Sequence, residues 1–334
     1  MQVENLTNDQ LAELLVTDRY DEELRRRALA LRRKIYGNKV FVRGLIEFTN
    51  YCKNNCYYCG LRCENNNLQR YRLTEDEILQ CGDEGYALGF RTFVLQGGED
   101  AYFTDDVLVP LVAELHHRHP DAAITLSVGE RSRESYARLR QAGAERYLLR
   151  HETANPLHYV KLHPAAQSLA NRKKCLQDLK ELGYAVGSGF MVGSPFQTPM
   201  NLVEDIRFLQ ELQPAMIGIG PFLSHRDTPF RNEPNGDLQL TLRLIALLRI
   251  FFPHALIPAT TALATLAEYG RELGMAYGAN VLMPNLTPAV VRKQYLLYDN
   301  KATGGVEDAQ SLEQLKERMA IDGWDIVVDR GDVQ

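Results

Sequence analysis

No stretch of this 334-residue sequence is apolar for long enough to cross a membrane. The longest apolar runs, Leu244–Leu248 and Ile250–Pro253, are separated by Arg249 and fall far short of the roughly 20 residues a spanning helix needs. Met1–Tyr20 is not expected to act as a secretory leader, because it is polar and carries Glu4, Asp9, Glu13 and Asp18. Without an export signal the chain is expected to be cytoplasmic and free of disulfides, so clustered cysteines point to metal or to chemistry. Neither sign of charge dominates. The 38 basic and 43 acidic residues leave a net charge of −5, which argues against a dedicated nucleic-acid binder. The basic run Arg25–Arg33 does not alter this, since Leu24, Ala28, Leu31 and Ile35 recur through it at helical spacing. It reads as an amphipathic helix with a solvated cationic face. Low-complexity tracts and Ser/Gly-rich linkers are absent too. The hydrophobic share of 45% is near the globular average, which excludes a disordered, collagenous or coiled-coil chain.

What is present is alternation. A helical start over about residues 7–36 is followed by short apolar or β-branched runs at Val40–Phe48, Thr92–Gln96, Ala123–Val128, Tyr147–Arg150, Ala185–Met191, Met216–Gly220, Leu256–Ala259 and Val281–Met283. Amphipathic helical patterns lie between them at 74–89, 104–118, 131–142, 167–182, 200–212, 237–252 and 262–273. Thr74-Glu75-Asp76-Glu77 has the form of a capping box, and Gly89, Gly143 and Gly183 stand where helices end. Eight strands interleaved with helices imply right-handed βαβ units and a parallel sheet closed as an α/β (β/α)8 TIM barrel. The expected division is an N-terminal helical segment over 1–36, the barrel over 37–302 and a short C-terminal extension over 303–334 packed on it. In such a fold the active site gathers at the C-terminal ends of the strands. Polar or glycine-bearing segments follow each strand here, among them Gln96-Gly97-Gly98-Glu99, Ser127-Val128-Gly129-Glu130 and Arg150-His151-Glu152-Thr153.

Four of the six cysteines, Cys52, Cys56, Cys59 and Cys63, crowd into the loop leaving the first strand. Spacers of three and two residues let Cys52, Cys56 and Cys59 converge on one face of a cluster. Three thiolates on a four-iron cube leave one iron without a protein ligand, the open position that marks a reactive metal site. The competing arrangement is a zinc site completed by Cys63, although zinc knots usually bring together arms from separate places. Cys63 is left out of the ligand set, and Cys81 and Cys175 fall in helical patterns as small core residues. His116-His117-Arg118-His119 ends a helix before Pro120 and reads as solvent-exposed histidine favoured by the helix dipole.

The segment Tyr51-Cys52-Lys53-Asn54-Asn55-Cys56-Tyr57-Tyr58-Cys59-Gly60 matches the radical SAM signature. Further motifs follow in order: Arg70-Tyr71-Arg72-Leu73-Thr74, Val94-Leu95-Gln96-Gly97-Gly98-Glu99-Asp100, Arg150-His151-Glu152-Thr153-Ala154-Asn155, Phe190-Met191-Val192-Gly193-Ser194-Pro195, Pro258-Ala259-Thr260-Thr261-Ala262 and Tyr298-Asp299-Asn300-Lys301. Over about residues 30 to 302 the series resembles the HydE family of [FeFe]-hydrogenase maturases, whose relatives biotin synthase and methylornithine synthase share the complete barrel. The resemblance implies a complete barrel of the radical SAM type, with S-adenosylmethionine (SAM) chelated to one [4Fe–4S] cluster on Cys52, Cys56 and Cys59. An electron from the cluster would then split the sulfonium and yield a 5′-deoxyadenosyl radical. It places Tyr58 and Met216 near adenine, Gly97, Gly98 and Glu99 at the methionine amino group, Glu152 at the ribose and Arg172 at the methionine carboxylate. Arg172 in Arg-Lys-Lys also fits a solvated helix face, and Met216 also fits the core.

At the substrate end the resemblance implies a small organometallic iron complex facing Thr125, Arg150, Thr260, Thr261, Met283, Tyr295 and Tyr298. Barrel-layer packing would account for the threonines equally well. HydG and HydF are the implied maturation partners, with a ferredoxin or flavodoxin as electron donor. The sequence departs from many family members in one respect. No cysteine follows Cys175, so a C-terminal Cys-x7-Cys-x2-Cys motif is missing and no second cluster is expected. A mutase similar to methylornithine synthase, a HydE-like enzyme for another small substrate, and a noncatalytic zinc protein are the alternatives.

Overall fold

The computed structural model describes residues 2–301 and 308–334. The 302/303 boundary between barrel and extension lies outside the described residues. The expected first strand forms as two pieces, β1 (Lys39–Val42) and β2 (Gly44–Thr49), which part at Arg43 where the run exchanges neighbours. After them come β3 (Thr92–Gly97), β4 (Ala123–Ser127), β5 (Ala144–Leu148), β6 (Ala185–Ser188), β7 (Met191–Val192), β8 (Met216–Ile217), β9 (Gly220–Pro221), β10 (Val281–Leu282) and β11 (Asp325–Val327). A six-stranded parallel sheet runs β2-β3-β4-β5-β6-β8. Parallel bridges carry the circuit on, Met216 to Leu256, Pro258 to Val281, and Leu45 to Asn285. With β1 pairing β10, Phe41 opposite Val281, the barrel closes. The expected seventh strand, Leu256–Ala259, contributes single bridges rather than a ladder, and the fourth begins three residues earlier than expected.

The helices are α1 (Asn8–Leu15), α2 (Asp21–Tyr36), α3 (Glu75–Ala87), α4 (Asp105–Arg118), α5 (Arg133–Gln141), α6 (Pro156–Leu162), α7 (Leu169–Glu181), α8 (Pro199–Leu212), α9 (Leu238–Phe251), α10 (Thr261–Leu266), α11 (Gly270–Ala276), α12 (Ala289–Arg292) and α13 (Leu312–Ile321). The capping box at the start of α3 forms, with the Thr74 hydroxyl accepting from Glu77 N and the Glu77 carboxylate accepting from Thr74 N. Gly89, Gly143 and Gly183 follow the ends of α3, α5 and α7 with φ of +99°, +113° and +78°, the left-handed turn glycine adopts at no steric cost.

Two expectations are corrected. The buried face of α2 holds Leu24, Ala28, Arg32 and Tyr36, so Arg32 belongs to the interior rather than to a solvated cationic face. Its guanidinium donates to the carbonyls of Ala279, Gly37 and Lys39 and lies 4.2 Å from the Trp324 ring. His119 is buried, not exposed, because it bonds Asp83 at 2.8 Å and stacks on Tyr86.

Beyond α13, β11 pairs in parallel with β1, Val40 opposite Ile326. The Arg330 carbonyl then accepts from Thr92 and Arg146 inside the barrel floor. The cysteine loop, the Gly97-Gly98 turn and the Gly129-Glu130 turn all leave the other end of the sheet.

Candidate active site

The cysteine loop is held from several sides by its own backbone. Lys53 N donates to Glu99 O, Tyr57 N to Leu162 O, Gly60 N to Leu297 O and Cys63 N to Asn54 O, each within 3.0 Å. One guanidinium clamps it further: Arg70 donates to the carbonyls of Asn50, Leu61 and Arg62 at 2.5, 2.9 and 2.7 Å. A Cβ at Gly60 would lie 2.2 Å from Leu296 O, and one at Gly98 would lie 2.2 Å from Tyr51 O. Both approaches need glycine. Cys52, Cys56 and Cys59 are half-buried and Cys63 is exposed.

Burial raises all three inner thiols, Cys56 to about 12. Burial outweighs the nearby Arg172 charge at Cys56, and bound iron would favour the thiolates instead. Among the described residues, no three His, Cys, Asp or Glu side chains converge on the position of a single ion. Three inner thiols on one tight loop fit a cluster, which spaces its ligands wider than a single ion does.

Tyr58, beside Cys59, bonds His163 Nε2 at 3.1 Å, while His163 Nδ1 faces the Tyr159 carbonyl at 3.0 Å. Since a carbonyl only accepts, Nδ1 carries the proton and the Tyr58 hydroxyl donates to Nε2. Burial pulls the His163 imidazole down to about 3, so it stays neutral.

Next to this pair the strand ends deliver charge. Glu99 lies 3.3 Å from Lys53 Nζ and accepts from Glu130 N at 3.1 Å. Arg172, reaching in from α7, pairs with Glu130 at 2.5 Å, stands 3.8 Å from Glu99 and donates to Arg150 O. Burial works against the Arg172 charge, yet Glu130 and Glu99 outweigh it and keep the guanidinium firmly protonated. A Cβ at Gly129 would fall 2.0 Å from Glu99 Cγ, and Gly129 holds φ +77°. A cleft of about 370 Å³ opens beside Lys53, Glu99 and Glu130.

Glu152 has a left-handed backbone, φ +64°, held because its N–H reaches Gly189 O while its carbonyl accepts from Met191 N. Such a conformation costs a non-glycine residue about 1–3 kcal/mol and persists where surroundings enforce it. Arg150 Nη2 sits 3.0 Å from Glu152 Oε2, but the approach is off-line, and neither atom makes a hydrogen bond. Thr125 Oγ1 and Thr260 Oγ1 are likewise buried without partners. Thr125 shares a rung with Arg146, whose side chain crosses the barrel floor. Orphaned donors and acceptors inside a barrel fit a polar ligand that would satisfy them.

The remaining expected residues divide. Tyr295 is fully buried with Lys301 Nζ 4.8 Å from its ring, and Tyr298 is half-buried in the segment packed on Gly60. Thr261 starts α10. Met216 is not brought to this group: its sulfur is 2.8 Å from Arg43 Nη1 in a cluster with Tyr36, Phe41, Leu256 and Val281, against which Met283 also packs. Sequence reasoning missed Glu130 as the partner of Arg172, although Gly-Glu recurs after β3 and β4. It also missed Glu47, buried and paired with Lys301 at 2.5 Å and Asn285 at 2.8 Å. His151 is buried between Ser188 and Asp205, a support for the Glu152 turn.

A closed parallel barrel with a three-thiol loop at the C-terminal end of its first strand defines the radical SAM class, and the Radical SAM superfamily model matches residues 46–209. The chain is 49% identical to the [FeFe] hydrogenase maturase subunit HydE of Thermotoga maritima over 88% of its own length and 84% of the relative. It belongs to the HydE family of radical SAM enzymes. More distant similarity reaches 3-methylornithine synthase of Methanosarcina acetivorans, 30% identical over 95% of this chain and 90% of that one. The crystal structure of methylornithine synthase (PylB) superposes with a TM-score of 0.82 at 27% identity, covering 96% of this chain and 94% of the other.

Proposed function

We propose that this radical SAM enzyme is a maturase acting on a small iron complex during assembly of the [FeFe]-hydrogenase diiron subcluster. The observation that carries the reading is the 49% identity to HydE across nearly the whole barrel, together with unsatisfied polar groups inside it. Cys52, Cys56 and Cys59 would hold one [4Fe–4S] cluster. Once bound and reduced, it supplies the electron that breaks the sulfonium C–S bond of SAM. Glu99 is suited to the ligand's ammonium, Arg172 to its carboxylate and the Glu152 carboxylate to two ribose hydroxyls. The Gly97-Gly98 backbone lets the ligand approach closely, and Tyr58 offers a ring face for adenine. Arg150, Thr125, Thr260 and Thr261 present a guanidinium and hydroxyls to a compact anionic substrate, with Tyr295 and Tyr298 closing its side. A ferredoxin or flavodoxin would supply electrons in the cytoplasm, and HydG and HydF would act before and after. The three loop cysteines account for one cluster.

The test is anaerobic reconstitution with iron and sulfide, a SAM cleavage assay, and hydrogenase activation with HydG and HydF. Activation is the expected result. SAM cleavage without activation would point instead to the methylornithine synthase type of isomerisation, which the shared barrel favours as second reading. A colourless zinc-loaded protein would overturn both.

A further inference from the structure

We propose that Gln167 is a positioning residue for Cys56: its side-chain amide donates an N–H···S hydrogen bond to the Cys56 sulfur when that sulfur ligates iron, and thereby raises the reduction potential of the cluster. The inference rests on the cluster reading of the cysteine loop. The Cys56 thiol donates to Gln167 Oε1 at 3.3 Å. A thiolate on iron has no proton to give, so the same contact survives only if the amide turns over and presents Nε2. The two ends of a glutamine amide are nearly isosteric, so the turn needs no movement of the backbone.

That backbone is anchored on both sides of the residue. Gln167 N donates to Pro164 O at 2.9 Å, and Ser168 caps α7 by accepting from Asn171 N. The opposite wall is anchored too, since Tyr57 N bonds Leu162 O at 3.0 Å, so cysteine loop and glutamine turn are held at a fixed separation.

The surroundings of Cys56 make an added donor count. Between Thr153 and Gln177 the chain carries no Asp or Glu, only the cations Lys161, Arg172, Lys173 and Lys174. Arg172, whose charge reaches Cys56, is already committed to Glu130 and Glu99. A neutral amide aimed at the sulfur adds stabilisation that grows with the negative charge the cluster gains on reduction, and hydrogen bonds to the sulfurs are among the features that set such potentials. The amide stabilises the reduced state more than the oxidised one. Its loss therefore makes the cluster harder to reduce while leaving the three ligands in place.

The test uses the full chain, reconstituted anaerobically, as the unaltered protein and as the Gln167→Leu and Gln167→Glu variants. Iron and sulfide per chain, a thermal melt, and the midpoint potential from an EPR-monitored titration without SAM are measured for each. Both variants are expected to load iron fully and melt as the unaltered protein does. At fixed applied potential the reduced-to-oxidised ratio falls by about tenfold in Gln167→Leu, the scale of one hydrogen bond, which is 59 mV for a one-electron couple. It falls further in Gln167→Glu, whose carboxylate has the same shape and no proton to offer. Full loading with an unchanged potential in both variants overturns the inference alone. Failure of both variants to load iron overturns it as well, since Gln167 would then be propping the loop. An unaltered chain that holds zinc and no cluster takes the functional reading down with it.

Discussion

Cys56 and Gly129 show how single residues decide this site. Cys56→Ala removes one of three sulfurs from a loop whose shape is set by backbone bonds and by Arg70. It should abolish the iron–sulfur absorbance and SAM cleavage while the melting curve stays within a few degrees. Gly129→Ala is a different kind of change. Its φ of +77° disfavours any L side chain, and the new methyl would meet Glu99 Cγ at 2.0 Å. A loss of about 1–3 kcal/mol is expected, with SAM affinity falling because Glu99 must move; chemical denaturation and a SAM titration measure the two. The cysteines were legible in the sequence because their spacing is local. Glu130 was not: its role depends on Arg172, which arrives from another βα unit and pairs only when the barrel closes.

Among the elements, α2 is the instructive case. Its periodicity predicted a face of Leu24, Ala28, Leu31 and Ile35, but the buried set is Leu24, Ala28, Arg32 and Tyr36. The face turns because Arg32 can bury its aliphatic stem while its five donors find carbonyls at the ends of other elements, and hydropathy has no means of recording that. Arg32→Leu should therefore destabilise the protein by about 2–4 kcal/mol, since the carbonyls of Gly37, Lys39 and Ala279 lose their donor inside the core. Urea unfolding would register it. A gain in stability would mean that hydrophobic packing outweighs those bonds.

On the scale of the whole molecule, burial has neutralised histidines. His151 and His163 both lie at or near full burial with their imidazoles pushed down, His163 to about 3. The unfolded chain takes up protons at these positions below about pH 6.5 and the folded chain does not, so stability is lost as the pH falls from there. Each such group contributes up to about 1.4 kcal/mol per pH unit. His163→Gln should lower the loss of melting temperature between pH 7 and pH 5 relative to the unaltered protein, while the Asp205 carboxyl, pushed up by burial, acts with the opposite sign in both. An identical pH dependence in His163→Gln and the unaltered protein would contradict the buried, neutral assignment.

Order along the chain was enough to indicate eight βα units, the capping box at Thr74, the glycine stops, the cysteine loop and the family, because each rests on residues close together in sequence. Tertiary structure alone decided which carboxylate meets Arg172, that Met216 packs with Phe41 rather than near Tyr58, that Met283 packs against the same cluster, and that Arg32, His119 and Glu47 are interior. Those outcomes are contacts between segments far apart in the chain. They are set by burial and pairing when the sheet closes, and no local pattern encodes them.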